Sequence, residues 1–171
     1  MARLIIITGF MGAGKTTVAA ALARRLACAM IDLDGLIEKR DGRTAQRIID
    51  EEGEDSFRQL ESRALRAALG TDEARIIALG GGTWTIAGNR ALINEYNPLT
   101  VWLDAPFEVC WQRISAGTDD RPLARNREDA RRLYDQRLKL YGLASLHVTV
   151  SEGRRIDNII NEILASYRNS D

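Results

Sequence analysis

Residues 9–17 read Gly9-Phe10-Met11-Gly12-Ala13-Gly14-Lys15-Thr16-Thr17 and fit the phosphate-binding pattern G-x-x-x-x-G-K-[ST] at every position. Glycine at both ends lets the backbone turn so that successive N–H groups point inward at phosphate oxygens. Lys15 can reach the β- and γ-phosphates of a nucleotide, and the Thr16 hydroxyl can ligate Mg²⁺. An apolar run, Leu4-Ile5-Ile6-Ile7, precedes the loop, and a helical pattern follows it. Because the N-terminal end of a helix favours anions, the stretch predicts a phosphate loop that binds a nucleoside triphosphate.

Apolar, β-branched runs alternate with helical patterns along the rest of the chain. Apolar residues three and four apart predict helices through Val18-Leu22-Leu26, from Glu54 to Leu69, and over Ile156–Ile163. Strands are predicted at Leu4–Thr8, Ala29–Ile31, Ile76–Leu79, Thr100–Leu103 and His147–Val150. Strands that alternate with helices form βαβ units, so the predicted fold class is α/β with a parallel sheet and right-handed crossovers. No repeat or linker divides the chain, which predicts one domain over residues 1–171.

Length and composition are those expected of one globular enzyme domain. The chain has 171 residues, 45% of them hydrophobic and 28% charged, with 24 Lys+Arg against 24 Asp+Glu. A formal net charge of zero gives no electrostatic reason to expect nucleic acid or a membrane as partner. Cys28 and Cys110 are isolated, which predicts neither a disulfide framework nor a zinc site. Without a signal-peptide pattern or an apolar run of membrane-spanning length, we expect a cytoplasmic protein, and we expect it to be a monomer.

Three clusters of chemically suggestive residues follow predicted strands. They are the loop at 9–17, Asp32-Leu33-Asp34, and Gly80-Gly81-Gly82. In an open α/β sheet, ligands bind at the carboxyl ends of the strands. We therefore expect these clusters to converge on one cleft.

Asp32 and Asp34 flank a single leucine at a predicted strand end. In extended geometry, both carboxylates would face the same side of the strand. Beside a bound triphosphate, one can hold Mg²⁺ through water while the other accepts a hydrogen bond from an acceptor hydroxyl. The alternative is that Asp34 caps the helical pattern that contains Leu36 and Ile37, and that Asp32 is solvated. Next to a phosphate loop, we favour the functional interpretation.

The glycine triplet at 80–82 indicates that the backbone approaches something closely, since such a run is entropically costly. Its three N–H groups could meet a γ-phosphate or a substrate carboxylate. The alternative is a plain turn between a strand and a helix.

Arg58 and Glu61 lie three residues apart, so they share a helix face and can pair. If the pair fronts the cleft, Glu61 would orient Arg58 for bidentate recognition of a carboxylate. The alternative for this feature taken alone is an ion pair on the protein surface.

Residues 117–123 form a polar, loop-like stretch that contains Arg121. A mobile arginine on such a loop can close over the γ-phosphate, exclude water and neutralise charge in the transition state. The basic run that follows, from Arg125 to Arg132, is broken by Glu128 and Asp129. Because of these acids, it is predicted to be a solvated helix face and not a nucleic-acid patch.

Taken together, the motifs resemble shikimate kinase, a small P-loop kinase of the nucleoside-monophosphate-kinase type. The similarity runs from about Leu4 to Leu164. It rests on the phosphate loop, Asp32-x-Asp34, Phe57-Arg58-x-x-Glu61, Gly80-Gly81-Gly82, Arg121-Pro122-Leu123 and Arg137-x-x-Leu140-Tyr141. The phosphate loop is shared by many ATPases and GTPases, whereas the other five motifs at these spacings are far more specific.

The resemblance implies a fold and a reaction. The fold would be the three-layer P-loop NTPase fold, a five-stranded parallel sheet flanked by helices, with a substrate-binding segment at about 33–62 and a lid at about 115–127. The reaction would be transfer of the γ-phosphate of ATP to the 3-hydroxyl of shikimate, giving shikimate 3-phosphate and ADP. This is a step of chorismate and aromatic amino-acid biosynthesis, with ATP and Mg²⁺ required.

The resemblance also implies roles for individual residues. Lys15, Asp34 and Arg121 would be catalytic, Asp34 by contacting shikimate hydroxyls and taking the transferred proton, and Arg121 from the lid. The ATP phosphates would be bound by Gly12, Ala13, Gly14, Lys15, Thr16 and Thr17, with Arg113 and Arg154 bordering the adenine. Mg²⁺ would be held by Thr16 and, through water, Asp32. Shikimate would be bound by Asp34, Arg58, Gly80, Gly81, Gly82 and Arg137.

The chain departs from the family pattern at three positions near the acceptor. Lys139 replaces a proline, Ile49 stands where some members have phenylalanine, and Trp84 is a bulky residue after the glycine triplet. These positions bear on acceptor preference and not on the phosphate chemistry. One alternative is a kinase of another small hydroxy acid such as gluconate, and the pair Arg58 and Arg137 would distinguish it. A second is a non-catalytic ATP-binding module, against which Asp34 and the lid arginine argue.

Overall fold

A computed structural model of the chain describes residues 3–71, 74–117 and 126–169. Within these ranges there are five strands and eight α-helices. The strands are β1 (Ile5–Thr8), β2 (Met30–Asp32), β3 (Ile76–Ala78), β4 (Leu99–Asp104) and β5 (Leu146–Thr149). The helices are α1 (Lys15–Leu26), α2 (Leu33–Asp41), α3 (Ala45–Glu52), α4 (Glu54–Leu69), α5 (Ala87–Asn94), α6 (Phe107–Ala116), α7 (Arg127–Tyr141) and α8 (Ile156–Arg168), with a 3₁₀ turn at Thr83–Thr85.

The five strands form one parallel sheet in the order β2-β3-β1-β4-β5. The predicted α/β class is therefore confirmed, and each predicted strand lies within one residue of the observed one at either end. β1 is central because Ile5, Ile6 and Ile7 are apolar on both faces and almost completely buried. From β1 the chain connects to β2 on one side of the sheet, and from β4 it connects to β5 on the other side. The loops after β1 and β4 therefore diverge and open a crevice between them.

Helices flank the sheet and complete its core. α1 packs against β1, β2 and β3, while α8 packs beside α1 and against β5. Both are amphipathic: Val18 and Leu22 of α1 and Ile163 of α8 are at most 3% exposed. None of the helices in the described ranges combines the length and apolar character that a bilayer crossing requires.

Helices α2, α3 and α4 pack on one another and span the segment at 33–62. α3 was not predicted, although Thr44 marks its start by accepting a hydrogen bond from the backbone N–H of Arg47 at 3.3 Å. Its buried face consists of a single fully enclosed residue, Ile48. Such a short helix leaves a weak periodic signal, which explains why it was missed.

Arg43 joins α2 to α3 at the corner next to the start of α4. Its guanidinium pairs with Asp41 at 2.6 Å, Glu51 at 2.8 Å and Glu52 at 2.7 Å. Asp41 ends α2, and the two glutamates end α3 just before α4 begins at Glu54. One side chain thereby fixes the ends of α2 and α3 relative to each other.

Candidate active site

The loop between β1 and α1 has a backbone that only glycine accommodates. Gly9, Gly12 and Gly14 have φ angles of 145°, 77° and 96°, which side chains rarely tolerate. A Cβ on Gly12 would lie 2.7 Å from the carbonyl oxygen of Cys110, and one on Gly9 would lie 2.9 Å from that of Leu103. The glycines of the motif therefore allow the loop to lie directly against the backbone of neighbouring elements.

Lys15 is the first residue of α1, and its side chain folds back over the loop. Its Nζ donates hydrogen bonds to the carbonyl oxygens of Gly9 and Phe10, each at 3.0 Å. The ammonium group thus lies beside the positive N-terminal end of α1. Lys15 lines a cleft of about 720 Å³ together with most of the loop. This is the environment that a triphosphate requires.

Asp32 and Asp34 both line this cleft, but not for the reason predicted from the sequence. β2 ends at Asp32 and α2 begins at Leu33, so the two aspartates do not share one extended strand. The capping alternative assigned the cap to Asp34, and this was also wrong. Asp32 is the cap, and its Oδ1 accepts a hydrogen bond from the N–H of Gly35 at 3.1 Å, because the chain turns into the helix two residues earlier than that alternative expected.

The other oxygen of Asp32 accepts a hydrogen bond from the hydroxyl of Thr16. This contact ties the start of α1 to the end of β2 across the floor of the cleft. The two residues predicted to hold a metal are therefore adjacent, and both offer oxygen, the ligand that Mg²⁺ prefers.

Arg58 and Glu61 form the predicted pair, with Arg58 Nη1 2.7 Å from Glu61 Oε2. Glu61 is only 1% exposed, so the alternative of a surface ion pair is wrong. Arg58 Nε and Nη2 donate to Glu54 at 3.3 and 3.1 Å. Burial alone would lower the pKa of the Arg58 guanidinium, but the carboxylates of Glu61 and Glu54 more than offset this effect and raise it. Arg58 therefore stays charged.

The glycine triplet passes between these charged groups. A Cβ on Gly80 would lie 2.5 Å from Asp34 Oδ1 and 2.6 Å from Glu61 Oε1, and a Cβ on Gly82 would overlap the Arg58 guanidinium. Glycine thus lets these side chains lie directly against the backbone, and the segment also makes the turn that the alternative proposed, leading from β3 into the 3₁₀ turn.

Arg137 and Tyr141 of α7 hold the middle of the triplet. Arg137 Nη1 donates to the carbonyl oxygen of Gly81 at 3.2 Å, and the Tyr141 hydroxyl donates to the same oxygen at 2.5 Å. Arg137 is only 7% exposed. No role was predicted for Tyr141; the signal for one is its place in Arg137-x-x-Leu140-Tyr141, one helical turn after Arg137.

A second pocket opens off the first and brings both arginines together. It shares Met11, Asp34, Ala45 and Gly81 with the large cleft. The rest of its lining is Ile49, Phe57, Arg58, Glu61, Gly82 and Arg137. One end is thus cationic, one wall is apolar, and Asp34 lies at the junction with the phosphate loop. A small anionic, carboxylate-bearing molecule fits such a lining.

The remaining predicted residues are placed differently from one another. Arg113 lines the large cleft and donates to the carbonyl oxygen of Gly12 at 2.9 Å. Arg154 instead donates to the carbonyl oxygen of Thr149 and pairs with Glu162. Arg121 lies outside the described residues, as do most of the residues assigned to the lid.

Trp84 and Ile49, singled out as departures, have different environments. Trp84 is 2% exposed, and its indole N–H donates to the carbonyl oxygen of Leu140 at 2.8 Å, so it joins the 3₁₀ turn to α7. Ile49 lines the second pocket directly. Lys139 is exposed on α7.

Comparison with known proteins identifies the family. A family model described as "Shikimate kinase" matches residues 11–168. The chain belongs to the shikimate kinase family. A shikimate kinase of Persephonella marina is 37% identical over 167 residues, covering 97% of this chain and 99% of the relative. The structure "Shikimate kinase from Acinetobacter baumannii in complex with shikimate" superposes with a TM-score of 0.89 at 32% identity, covering 99% of this chain and 94% of that chain.

The same fold occurs in more distant kinases. A gluconokinase structure from Sinorhizobium meliloti has a TM-score of 0.66 at 20% identity and covers 99% of this chain and 93% of that chain. At this identity, the likeness extends to the fold alone. It therefore adds nothing to the gluconate alternative.

Proposed function

We propose that this member of the shikimate kinase family transfers the γ-phosphate of ATP to the 3-hydroxyl of shikimate, giving shikimate 3-phosphate and ADP. The observation that carries the proposal is the second pocket, from here on called the acceptor pocket, in which Arg58 and Arg137 line the same cavity as Asp34. That cavity opens onto the phosphate loop. A donor site and a site for an anionic acceptor are therefore contiguous.

The phosphate side of the site supplies positive charge and N–H donors. Lys15 would move from its two carbonyl partners to the β- and γ-phosphates, and residues 12–17 would bind the phosphate chain through the N-terminal end of α1. Thr16 and Asp32 offer an oxygen donor set that fits Mg²⁺. When bound, that ion would neutralise charge on the transferred group.

Arg113 would border the adenine, and its hydrogen bond to the carbonyl oxygen of Gly12 on the phosphate loop supports this assignment. Arg154 is assigned to the adenine side and Arg121 to the lid by family resemblance. Mutation of each, with measurement of the KM for ATP, would test these assignments.

The acceptor side orients a carboxylate at one end and a hydroxyl at the other. Arg58 and Arg137 would bind the shikimate carboxylate, with Gly80, Gly81 and Gly82 allowing the close approach. Asp34 would then accept a hydrogen bond from the attacking hydroxyl and take its proton. Because phosphoryl transfer depends mainly on alignment and charge neutralisation, the positioning by Asp34 matters more than its basicity.

We further infer that the kinase works as a single domain, as a monomer and in the cytoplasm. In support, Lys15, Asp34, Arg58 and Arg137 line two contiguous pockets within one domain, so donor and acceptor sites need no second domain. Size-exclusion chromatography with light scattering would check the monomer, and a dimer mass would contradict it.

The test is Mg²⁺-dependent ADP release, coupled to NADH oxidation, with shikimate, quinate, gluconate or no acceptor. Arg58→Ala should abolish turnover with shikimate but spare nucleotide binding, and Lys15→Ala should abolish turnover altogether. Arg63→Ala, an exposed arginine on the same helix, is the matched control and should behave as wild type. Release that is equal with and without shikimate would overturn the proposal.

A further inference from the structure

A buried carboxylate divides its two oxygens between two different partners. Glu61 Oε2 lies 2.7 Å from Arg58 Nη1, and Glu61 Oε1 accepts a hydrogen bond of 2.5 Å from the hydroxyl of Thr83. Glu61 is 1% exposed and Thr83 is fully buried. A carboxylate without solvent needs a donor on each oxygen, and an ionised carboxylate can only accept. The Thr83 hydroxyl must therefore be the donor.

Thr83 is itself held rigidly at the start of the 3₁₀ turn. Its backbone N–H donates to the carbonyl oxygen of Gly80 at 3.2 Å. Its own carbonyl oxygen accepts from Asn89 Nδ2 at 3.1 Å, and Asn89 is 4% exposed. The hydroxyl is thus presented to Glu61 from a fixed point next to the glycine triplet.

Two glutamates accept hydrogen bonds from different nitrogens of Arg58, Glu61 from Nη1 and Glu54 from Nε and Nη2. Glu61 is buried and holds the guanidinium beside Gly82. Glu54, one turn before Arg58 at the start of α4, is about half exposed. If Glu61 were free to rotate, Arg58 would keep only the exposed partner. The direction in which Arg58 points therefore depends on what holds Glu61.

We infer that Thr83 is a positioning residue for acceptor recognition, which acts through Glu61 to keep Arg58 directed into the acceptor pocket. The inference rests on the proposed function, because it assigns Arg58 to the acceptor carboxylate. Glu61 is fixed by a residue 22 positions away, on the 3₁₀ turn that directly follows the glycine triplet. The glycine triplet and the arginine are thereby held in one arrangement.

The experiment compares substitutions that keep or remove the hydroxyl. Thr83→Val keeps the branched shape and removes the donor, whereas Thr83→Ser keeps the donor. Thr100→Val is a control for the loss of a buried hydroxyl elsewhere. The Thr100 hydroxyl accepts a hydrogen bond from the N–H of Ser145, next to β5 at the opposite edge of the sheet from β2, and Thr100 is 5% exposed. Shikimate KM, ATP KM, kcat and the melting temperature are measured for each protein.

Thr83→Val should raise the KM for shikimate by about tenfold, with the KM for ATP within about twofold of wild type, because a hydrogen bond to a charged group is lost on the acceptor side only. Thr83→Ser should restore a KM for shikimate close to that of wild type. Thr100→Val should lower the melting temperature without changing either KM. If Thr83→Val does not fold, Thr83→Ala removes the same donor with less bulk and takes its place.

Equal shifts in both KM values, or a lower melting temperature with neither KM changed, would overturn the positioning role alone. A wild-type protein that releases no ADP in response to shikimate would overturn the proposed function, and this inference with it. The wild-type assay thus separates the two failures.

Discussion

At the scale of single residues, the charged groups of the cleft are held by partners that a ligand must displace or share. The two carbonyl oxygens that accept from Lys15 belong to the loop itself, so the ammonium is already placed at the phosphate side. Arg58 and Arg137 are likewise each tied to a neighbour, Glu61 and Gly81. Such preorganisation reduces the ordering cost of binding.

Lys15→Met should lower kcat by on the order of 10³-fold or more, since it removes a cation from the transferring phosphate. Steady-state ADP release with shikimate measures the effect. Arg25→Met, at an exposed position on the same helix α1, is the matched control and should leave kcat unchanged. Retention of more than about a tenth of the wild-type kcat by Lys15→Met would contradict the assigned role.

Gly82→Ala should raise the KM for shikimate while leaving the KM for ATP unchanged, because the added Cβ overlaps the Arg58 guanidinium and forces it aside. Gly88→Ala is the comparison, since a Cβ there meets nothing within 4 Å inside helix α5. That substitution should be neutral in kinetics and stabilise the fold by about 0.5–1 kcal/mol. An unchanged KM for shikimate in Gly82→Ala would show that Arg58 is free to move.

At the scale of elements, two groups of contacts fix the walls of the acceptor pocket. α7 holds the glycine triplet through Arg137 and Tyr141, and it is itself joined to the 3₁₀ turn by Trp84. The corner at Arg43 joins α2 to α3 on the opposite wall. The pocket is therefore formed between elements that are each braced separately.

Tyr141→Phe should raise the KM for shikimate a few-fold, because the Gly81 carbonyl loses one of its two donors. Burial raises the pKa of the Tyr141 hydroxyl to about 12, so the hydroxyl stays protonated and donating throughout the working pH range. Tyr134→Phe, on the same helix, also loses a buried hydrogen bond, to Ala105 at 3.0 Å. It should destabilise the protein without changing the KM for shikimate, and identical kinetics for both variants would refute the expectation.

The Arg43 corner should make stability depend on pH in the acid range. The pKa of Asp41 is lowered by its hydrogen bond to Arg43, that of Glu51 by Arg47 and then Arg43, and that of Glu52 by Ser56 and then Arg43. A lowered native pKa stabilises the fold at pH values above the usual 3.8 for Asp41 and 4.5 for the glutamates. That stabilisation is lost as the pH falls through the lowered native values.

Arg43→Gln should therefore melt at a lower temperature than wild type at pH 7, and the difference should shrink as the pH falls below about 4. Thermal unfolding followed by circular dichroism from pH 7 to pH 3 measures it. Arg131→Gln, which removes an exposed pair with Asp135 on α7, should show little difference at any pH. A difference between Arg43→Gln and wild type that stays constant with pH would contradict the assignment.

At the scale of the whole molecule, the phosphate loop lies directly on the core. The backbone of Cys110 on α6 lies against Gly12, and the Cys110 side chain is completely buried. Burial raises the pKa of its thiol to about 11, even though Lys15 and Arg113 partly oppose this. Its thiolate is therefore scarce at neutral pH, and a reagent can reach it only when the fold opens.

Alkylation at pH 8 should modify Cys28, which is half-buried, much faster than Cys110. Mg²⁺ with ADP should slow modification of Cys110 further, since a ligand that binds the native state stabilises it by mass action. Mass spectrometry of labelled peptides against time measures both rates. Equal rates for the two cysteines in the native protein would contradict this description of the core.

How much of the fold and site is predictable from sequence depends on the range of the interactions. The phosphate loop, the strands and the Arg58–Glu61 pair were predicted because each is specified by residues a few positions apart. The role of Asp32 as a cap was missed because the position at which a strand turns into a helix is poorly marked in sequence. Arg121 stays a prediction, since it lies outside the described residues.

The sequence by itself determined the α/β class and the phosphate loop, because periodicity and glycine placement act locally along the chain. Only the tertiary structure decided which distant groups meet: Thr83 with Glu61, 22 positions apart, and Arg137 with Gly81, 56 positions apart. These contacts depend on the order of the strands in the sheet and on α4 and α7 both packing against the 3₁₀ turn that follows β3. A residue type and its spacing carry no record of that order, so the acceptor pocket exists only once the sheet has formed.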